Sequence, residues 1–550
     1  MRMRLAALAL AALPAALAAQ GLPDSTRIGI NRVFAAWSAT NSPGCAVGVA
    51  RNGAVIFQNG YGMANLELDV PITPGSIFHV ASVSKQFTAM AVMLLAADGK
   101  LSLDDDIRKY LPEIPSYGPV ITIRHLLRHT SGLRDQWDLL AMARGRFEEN
   151  RITESDVLEI VARQKALNFV PGSEYLYSNT GYTLAGTIVK RVSGKSLRDF
   201  AEERIFRPLG MTQTHFHDDY TMVVKGRAAA YARGGGTWRV SLPNYDTYGA
   251  TSLFTTVGDL LKWQANFAKP VVANEQILRD MTTSGTLTNG DSTAYGYGIA
   301  TEVYRGMRLI GHSGGDAGYR TYTGQVAGQG LDITVLCNAS TANPGALVRG
   351  VMDVLLADKL AAVPSPARAT ATLSADQLSR FAGVYVNPLT GGPTLVHVRK
   401  DTLALGPNGP ALLPLSENRF RIAGQQAEME FTPVPELVIT QLSWPSRHPV
   451  TLKRVAAAPS QLKGAELTPY AGSYRSDELG ADYEVVARDS TLTLRTRWGS
   501  DRTVRSAHGD TFVGDYLVRF TRDRRGRIDG LLMSSGRVRN VKFQRLATSQ

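Results

Sequence analysis

Hydrophobic and polar positions follow two different patterns along the chain, and the change comes near residue 360. Before it, strand-like runs such as CAVGVARNGAVIFQNGYG alternate with helical stretches such as SKQFTAMAVMLLAADGK. The stretch after Ser82 is apolar on every side and stops near Gly99, which predicts a helix through the middle of a domain. This mixture predicts an α/β or α+β domain over residues 20–360.

After residue 360, short alternating runs bounded by Gly, Asn and Asp repeat at an offset of 89 residues. Such runs predict antiparallel strands in a duplicated unit, and we expect two small lipocalin-like β-barrels over residues 373–456 and 465–548. Stretches rich in Ala, Pro and Ser near 361–372 and 456–464 are predicted linkers. The repeated starting points are Phe381 and Tyr470, Thr402 and Thr491, and Phe431 and Phe520.

The N-terminus has the pattern of a cleavable export signal. Two arginines, at Arg2 and Arg4, precede an apolar run from Leu5 to Leu17, and small residues follow at Ala18 and Ala19. The run is shorter than the roughly 20 apolar residues of a transmembrane helix, and no later stretch reaches that length. We therefore expect cleavage after residues 1–19, a periplasmic or secreted protein, and no transmembrane span.

Length, charge and cysteine content narrow the class of protein further. The chain has 550 residues, more than the roughly 250–300 that one hydrophobic core supports, so several domains are expected. A net charge of +12 is modest for this length, and the basic residues are interspersed with acidic ones, which argues against nucleic-acid binding. Cys45 and Cys337 lie in strand-like runs, so a bridge is possible if the strands are neighbours, although buried free thiols are the favoured interpretation.

Ser82-Val-Ser-Lys85 stands where the apolar helix begins. Residues three apart share a helix face, so the Lys85 amine can reach the Ser82 hydroxyl. A serine hydroxyl needs a base to become a nucleophile, and a buried lysine loses part of its preference for the charged form. The spacing alone is weak evidence, because Ser460-Gln-Leu-Lys463 repeats it in a predicted linker.

Two further motifs follow in order, Tyr177-Ser-Asn179 in a turn-rich segment and His312-Ser-Gly-Gly315 after the strand-like MRLI. Ser-x-x-Lys, Tyr-x-Asn and His-x-Gly in this order resemble the serine β-lactamase and penicillin-binding family, in its class C, D-aminopeptidase and esterase branch. LLRHTSGL, LGMTQTHFHDDY and YGYGIA also resemble that family's framework. The resemblance spans roughly residues 25–355, and the two added barrels make the architecture most similar to a D-aminopeptidase.

The resemblance implies an antiparallel sheet with flanking helices, an all-α subdomain and an exported enzyme that forms an acyl-enzyme without cofactor or metal. It implies Ser82 as the nucleophile, Lys85 as its proton acceptor, and Tyr177 as general base or acid for the leaving group. His312 would share in the proton handling. The implied substrate-binding and oxyanion groups are Asn179, Ser313, Gly314 and Gly315, with backbone N–H groups of Ser82 and Gly315 forming the oxyanion hole.

His312 departs from the β-lactamase pattern, in which a lysine normally holds a substrate carboxylate. A neutral imidazole is a poorer carboxylate clamp than a permanent cation. The missing clamp argues against β-lactams, and the two barrels favour D-residue substrates. Among small-molecule and peptide substrates we therefore rank peptides or amides with a D-residue first, esters second and β-lactams third. The oligomeric state stays open.

Gly311-His-Ser-Gly-Gly315 also fits Gly-x-Ser-x-Gly, which would make Ser313 the nucleophile of an α/β-hydrolase. That elbow requires a helix directly after the serine, whereas the following residues predict turns and strands.

The non-enzymatic alternative is a cell-wall or peptide-binding protein that keeps the fold without turnover.

A metal enzyme is a further alternative. His125 and His129 are four residues apart on a predicted helix, and His215 and His217 form a second close pair. The first pair lacks the glutamate of His-Glu-x-x-His and nothing in the sequence connects the two, so structural hydrogen bonding is the favoured role.

Overall fold

The structure is a computed structural model that describes residues 22–145, 151–362, 371–406, 409–425, 427–434, 436–442, 450–455, 461–497 and 499–547. The predicted export signal and much of both predicted linkers lie outside these residues. Within them, none of the helices has the length and apolar character that crossing a membrane requires.

Residues 22–362 are built around a six-stranded antiparallel sheet. The strand Cys45–Arg51 lies inside it and is apolar at almost every position because both of its faces are covered. Val47 and Val49 pack with the helices Asp24–Val33 and Pro344–Leu355, while Gly48 faces the helix Val257–Ala268 on the other side. In spatial order the strands are Ala300–Tyr304, Met307–Asp316, Tyr319–Val326, Leu331–Cys337, Cys45–Arg51 and Ala54–Tyr61.

A helical subdomain packs beside the sheet, and its central helix is Lys85–Ala97. Every residue from Lys85 to Leu95 is buried, which confirms the prediction of a helix through the domain interior. The other helices of this part are Ile123–Leu127, Gln136–Arg144, Glu154–Ala162, Asn179–Ser193, Leu197–Ala201 and Glu275–Thr282, with 3₁₀ turns at Ala35–Trp37, Ala81–Ser84 and Ile107–Lys109 and a π-helical turn at Glu202–Phe206. Short strands lie at Met63–Asn65, Val70–Pro71, Phe78–His79, Ile152–Thr153, His215–Phe216, Tyr231–Gly234, Thr237–Val240, Tyr245–Asp246 and Leu253–Thr255.

The C-terminal part contains two closed antiparallel barrels, which confirms the expected fold class. The 89-residue repeat extends to side-chain bonds, because the Tyr385 hydroxyl donates to the Phe381 carbonyl and the Tyr474 hydroxyl donates to the Tyr470 carbonyl. The first barrel follows the helix Ala375–Ser379 and consists of Gly383–Val386, Pro393–Arg399, Thr402–Leu405, Ala411–Pro414, Arg419–Ile422, Glu428–Val434, Glu436–Leu442 and Val450–Val455. The second follows the 3₁₀ turn Gly464–Tyr470 and consists of Gly472–Ser476, Ala481–Arg488, Thr491–Thr496, Arg502–His508, Thr511–Gly514, Leu517–Arg522, Ile528–Ser535 and Val538–Arg545.

The second barrel docks on the helical subdomain. Arg134 and Glu478 form an ion pair across this interface, and both side chains are less than one tenth exposed. The Tyr483 hydroxyl donates to the Met142 carbonyl over 2.6 Å. The apolar residues of the second barrel belong to the same core cluster as the helical subdomain, whereas the core of the first barrel is separate. The second barrel is therefore packed against the part of the molecule that carries Ser82.

Cys45 and Cys337 form a disulfide, so the favoured expectation of buried free thiols is wrong. Cys45 begins one apolar strand and Cys337 ends another, and the two strands are antiparallel neighbours with the cysteines directly opposite each other. The pairing joins positions 292 residues apart. Hydrophobic pattern predicts each strand, but it does not show which strands lie side by side.

Replacing both cysteines with alanine is expected to lower the free energy of unfolding by about 2–5 kcal/mol, because the bridge restricts a long loop of the unfolded chain. Urea unfolding followed by tryptophan fluorescence measures the change, and the reduced wild-type protein serves as the control. An unchanged midpoint in the double variant would contradict the prediction.

Candidate active site

Ser82 lies in the tight turn Ala81–Ser84 that leads into the central helix. Ala81 has a φ of 48°, a left-handed conformation that non-glycine residues rarely adopt and that costs strain. The surrounding structure fixes the turn: the Ser84 hydroxyl donates to the Ala81 carbonyl over 2.5 Å and accepts from the Leu253 N–H over 3.0 Å. The neighbouring strand Leu253–Thr255 therefore holds the turn that carries Ser82 in place.

Lys85 is completely buried one turn along from Ser82. Its Nζ lies 3.0 Å from the Ser82 Oγ, 2.8 Å from the Asn179 Oδ1 and 2.7 Å from the Ala250 carbonyl oxygen. The oxygens of Asn179 and Ala250 can only accept, so each of them takes one N–H group of Lys85. The third position on the Lys85 nitrogen then faces the Ser82 hydroxyl.

Burial lowers the pKa of Lys85 well below its usual value, because the charged form loses its hydration. The positive charge of Arg537 adds to this lowering, while the carboxylates of Asp135 and Asp316 oppose it. A neutral amine at this position has a lone pair directed at the Ser82 hydroxyl and can accept its proton.

Tyr177 lies beside this pair, with its ring centre 4.9 Å from the Lys85 Nζ. The ring also packs against His129, with 4.1 Å between the ring centres and a tilt of 35°, and the His129 Nδ1 accepts from the Ser178 N–H. Burial raises the pKa of Tyr177, and the neighbouring Ser82 hydroxyl offsets only part of that rise. Among the described residues the Tyr177 hydroxyl is buried without a hydrogen-bond partner. It is thus a protonated phenol beside Ser82, with a proton to donate.

Asn179 begins the helix Asn179–Ser193 and is engaged at both ends of its amide. Its Oδ1 accepts from Lys85, and its Nδ2 donates to the Asp135 Oδ2 over 2.8 Å. Asp135 is fully buried and also accepts from the Asn179 backbone N–H over 2.7 Å. These bonds give Asn179 a direct part in positioning Lys85, in addition to its place on the cavity wall.

His312 lies on the strand Met307–Asp316 and is paired with Tyr295. Its Nδ1 lies 2.6 Å from the Ser313 carbonyl, which can only accept, so Nδ1 carries the proton and Nε2 accepts from the Tyr295 hydroxyl at 2.9 Å. Burial and the nearby Lys85 lower the pKa of His312 to about 3, so the imidazole is neutral. Its ring centre is 6.1 Å from that of Tyr177, and its share in proton handling stays a prediction.

The strand of His312 lies directly against the nucleophile's turn. A Cβ added at Gly314 would lie 2.3 Å from the Val80 carbonyl oxygen, so only glycine permits this approach. The Thr321 hydroxyl of the next strand donates to the same carbonyl over 2.9 Å. Gly315, the next residue, lines the same cavity as Ser82, and the part of their N–H groups in an oxyanion hole stays a prediction.

The cavity at Ser82 has a volume of about 410 Å³ and draws its walls from three parts of the chain. The motif residues among them are Ser82, Tyr177, Asn179 and Gly315, and of the residues that the structure describes His312 is not among those that line it. The sequence interpretation missed the others, which are Trp137, Asp138, Thr251, Asp316, Ala317, Arg320 and Arg537. Arg537 comes from the second barrel, so the barrel contributes directly to the cavity.

The alternative nucleophile Ser313 has a different setting. It is exposed on a strand that continues to Asp316 and is followed by another strand, not by the helix of a nucleophile elbow. Because neighbouring residues of a strand point to opposite faces, Ser313 points away from the face of His312.

The histidine pairs have structural partners. The His125 Nδ1 accepts from the Thr122 N–H over 3.2 Å, and His215 and His217 lie within 3.4 Å of each other by their ring nitrogens. Across the described part of the chain no group of three or more His, Cys, Asp or Glu side chains is arranged to hold a metal ion.

A serine on a tight turn, a buried lysine one helical turn later and a phenol beside both, on an antiparallel sheet with a helical subdomain, define a serine hydrolase of the penicillin-recognising type. Residues 30–357 match the Beta-lactamase family, and because this is more than half of the chain, the protein belongs to that family.

Known proteins with similarity to the chain include D-aminopeptidases. Those of Gluconobacter oxydans and Brucella melitensis are 24% and 27% identical over 526 and 527 residues, and each match covers 92% of this chain and 96% of the relative. The crystal structure of the D-amino acid amidase from Ochrobactrum anthropi in complex with L-phenylalanine aligns with a TM-score of 0.51 and 24% identity, covering 61% of this chain and all of that one. At this identity the alignment shows the shared fold, while the matches to the D-aminopeptidases extend over the barrels.

Proposed function

We propose that this protein is an exported hydrolase that cleaves amides or short peptides of D-amino acids through an acyl-enzyme on Ser82. The observation that carries the proposal is the Lys85 Nζ at 3.0 Å from the Ser82 Oγ, in the wall of an open cavity. The near full-length similarity to D-aminopeptidases supports the substrate class. The signal-like N-terminus and the disulfide, a bond typical of oxidising compartments, support export.

In the first step the neutral Lys85 amine accepts the proton of Ser82 while the serine oxygen bonds to the substrate's carbonyl carbon. The carbonyl π electrons move to its oxygen, and this oxyanion accepts from the backbone N–H groups of Ser82 and Gly315. Removing one such donor typically costs about 10²–10³ in turnover. The proton now rests on Lys85, whose charge is balanced by the oxyanion.

In the second step the carbonyl re-forms, the bond to the leaving amine breaks, and that amine needs a proton. Tyr177 is suited to donate it because its raised pKa keeps the phenol protonated, and the Lys85 ammonium then returns its proton to the phenolate. Deacylation is the reverse of these two steps, with water in place of the amine. Water bonds to the acyl carbon, and Ser82 leaves as the restored hydroxyl. The net change is one amide bond hydrolysed, with no proton gained or lost by the enzyme's site.

The neutral state of His312 supports the order of substrates. A buried imidazole with a pKa of about 3 carries no charge near neutral pH, so it is no permanent clamp for the carboxylate of a β-lactam. The second candidate activity is ester hydrolysis, which the same serine, lysine and tyrosine can perform on a more reactive bond.

A substrate panel tests the proposal. D-alanine p-nitroanilide, its L-isomer, p-nitrophenyl acetate and nitrocefin are compared by kcat/KM, and we expect the D-amide to exceed the L-amide by at least about tenfold, with nitrocefin slowest. Ester cleavage without D-amide cleavage would replace the proposal by an esterase. Failure of a fluorophosphonate to label Ser82, read by peptide mass spectrometry, would indicate the non-catalytic peptide-binding alternative.

A further inference from the structure

Lys85, His312 and Arg537 are basic side chains near Ser82 that differ in charge and surroundings. Lys85 is buried with a lowered pKa, and His312 is neutral, so neither offers a fixed charge to a substrate. Arg537 does offer a fixed charge. Burial lowers its pKa, but the carboxylates of Asp135 and Asp138 outweigh burial and raise the pKa above the usual value. Arg537 therefore brings a permanent cation to the cavity from outside the catalytic domain.

Arg537 lies between the strands Ile528–Ser535 and Val538–Arg545, at the tip of a hairpin of the second barrel. Its guanidinium carbon is 5.9 Å from the ring centre of Tyr177, and about one third of its side chain is exposed. It lines the same cavity as Ser82. The arginine thus stands next to the phenol that would protonate the leaving amine.

The ion pairs of Arg537 are long. Within the described part of the chain, its terminal nitrogens lie 3.5 Å from the Asp135 Oδ2 and 3.5 Å from the Asp138 Oδ1. The short bonds to Asp138 come instead from the Ser535 hydroxyl at 2.8 Å and the Arg537 backbone N–H at 2.9 Å. A guanidinium has five N–H donors in a fork that matches a carboxylate. Because the two ion-pair contacts of Arg537 lie at the distance limit of hydrogen bonding, its guanidinium keeps N–H donors for a ligand.

Arg539, two residues further along the same hairpin, shows the contrast. Both of its terminal nitrogens lie 3.1 Å from the Glu174 Oε2, and its side chain is only 13% exposed. Arg539 is a structural contact of the barrel interface, and it is not among the residues that line the cavity in the described structure. One hairpin therefore carries an arginine in a structural ion pair, Arg539, and an arginine that keeps donors for a ligand, Arg537.

We propose that Arg537 binds the carboxylate of the leaving group, so that the preferred substrates are short peptides, above all dipeptides, with a free C-terminal carboxylate. The inference rests on the proposed function, because Tyr177 marks the side on which the amine leaves. In a dipeptide the carboxylate is two bonds from that amine, which places it beside the ring of Tyr177 and within the reach of Arg537.

The test compares D-alanyl-glycine with D-alanyl-glycinamide, which differ only in the C-terminal carboxylate. The wild-type enzyme is expected to prefer the acid, and Arg537→Gln is expected to lower kcat/KM for the acid more than for the amide. Because the charge of Arg537 also lowers the pKa of Lys85, its loss is expected to change kcat/KM for both substrates by a common factor. The diagnostic quantity is therefore the acid-to-amide ratio of kcat/KM, which should fall by about 10- to 100-fold, the range of a hydrogen bond to a charged group. Arg537→Lys should retain part of the preference, because it keeps the charge and loses the fork.

Arg539→Gln is the matched control and should leave the acid-to-amide ratio unchanged. An equal loss on both substrates in Arg537→Gln, or an unchanged ratio, would overturn the inference. Protection of Ser82 from fluorophosphonate labelling by each dipeptide gives a second readout that needs no turnover, and equal protection by acid and amide would also overturn it. Absence of labelling in the wild-type enzyme would instead refute the proposed function, so the two failures are distinguishable.

Discussion

Replacing Ser82 with alanine is expected to abolish hydrolysis of every substrate of this enzyme, with kcat reduced by at least about 10³-fold. The serine oxygen is the enzyme atom that we propose bonds to the acyl group, and it lies at the end of the Lys85 hydrogen-bond network. Product release from D-alanine p-nitroanilide measures the loss. Labelling by a fluorophosphonate should disappear in the same variant.

The comparison variant is Ser313→Ala, which removes an exposed hydroxyl from the Gly-x-Ser-x-Gly segment. Ser313 is a predicted substrate contact and not the bonding atom, so this variant should keep its fluorophosphonate labelling and lose far less activity than Ser82→Ala. Ser82→Ala should also fold normally, because Lys85 keeps its bonds to Asn179 and to the Ala250 carbonyl. Full activity in Ser82→Ala together with loss in Ser313→Ala would reverse the assignment of the nucleophile.

The convergence of Ser82, Lys85, Tyr177 and Asn179 could be predicted because each residue stands in a local motif with a distinct setting. Helical spacing alone brings Lys85 to Ser82, and the structure places the amine 3.0 Å from the hydroxyl. Tyr177 and Asn179 were predicted from the order of the motifs, which resembles the order in a known family. Local spacing and the family resemblance together therefore predicted which side chains meet at this cavity, while their catalytic roles stay a prediction.

The barrel repeat could be predicted for a similar reason. A constant offset between matching runs needs no knowledge of contacts, and the equivalent bonds of Tyr385 and Tyr474 show that the duplicated sequence keeps duplicated packing. How a barrel docks on another domain depends on surface complementarity, to which the repeat gives no guide. The position of Arg537 in the cavity therefore could not be predicted from the sequence.

Asp135 and the disulfide show the same limit at shorter range. Asp135 follows the LLRHTSGL segment by two positions and caps the helix Gln136–Arg144, a role that its residue type suits. Nothing local shows that its other oxygen accepts from Asn179, 44 residues later. Register between distant strands likewise placed Cys45 opposite Cys337, against the expectation of free thiols.

Lys85 gives the second large effect. Lys85→Ala is expected to lower kcat by about 10²–10⁴-fold, the usual range for a positioned acid or base. The change also leaves the Asn179 amide and the Ala250 carbonyl without their donor, at a cost of about 1–3 kcal/mol in the free energy of unfolding. Lys85→Arg is the informative companion, because a guanidinium keeps its proton and cannot act as a base. Both variants should therefore be nearly inactive on D-alanine p-nitroanilide.

The pH dependence of the wild-type enzyme follows from the same amine. Burial lowers the pKa of Lys85, so the neutral, proton-accepting form is present above that lowered pKa and is lost as the pH falls through it. The rate kcat/KM should accordingly decrease on the acid side. Tyr177 has a raised pKa, so the phenol stays protonated until strongly alkaline pH and sets no limit near neutrality. A rate that rises as the pH falls, or an active Lys85→Arg variant, would show that Lys85 acts by its charge and that another group accepts the Ser82 proton.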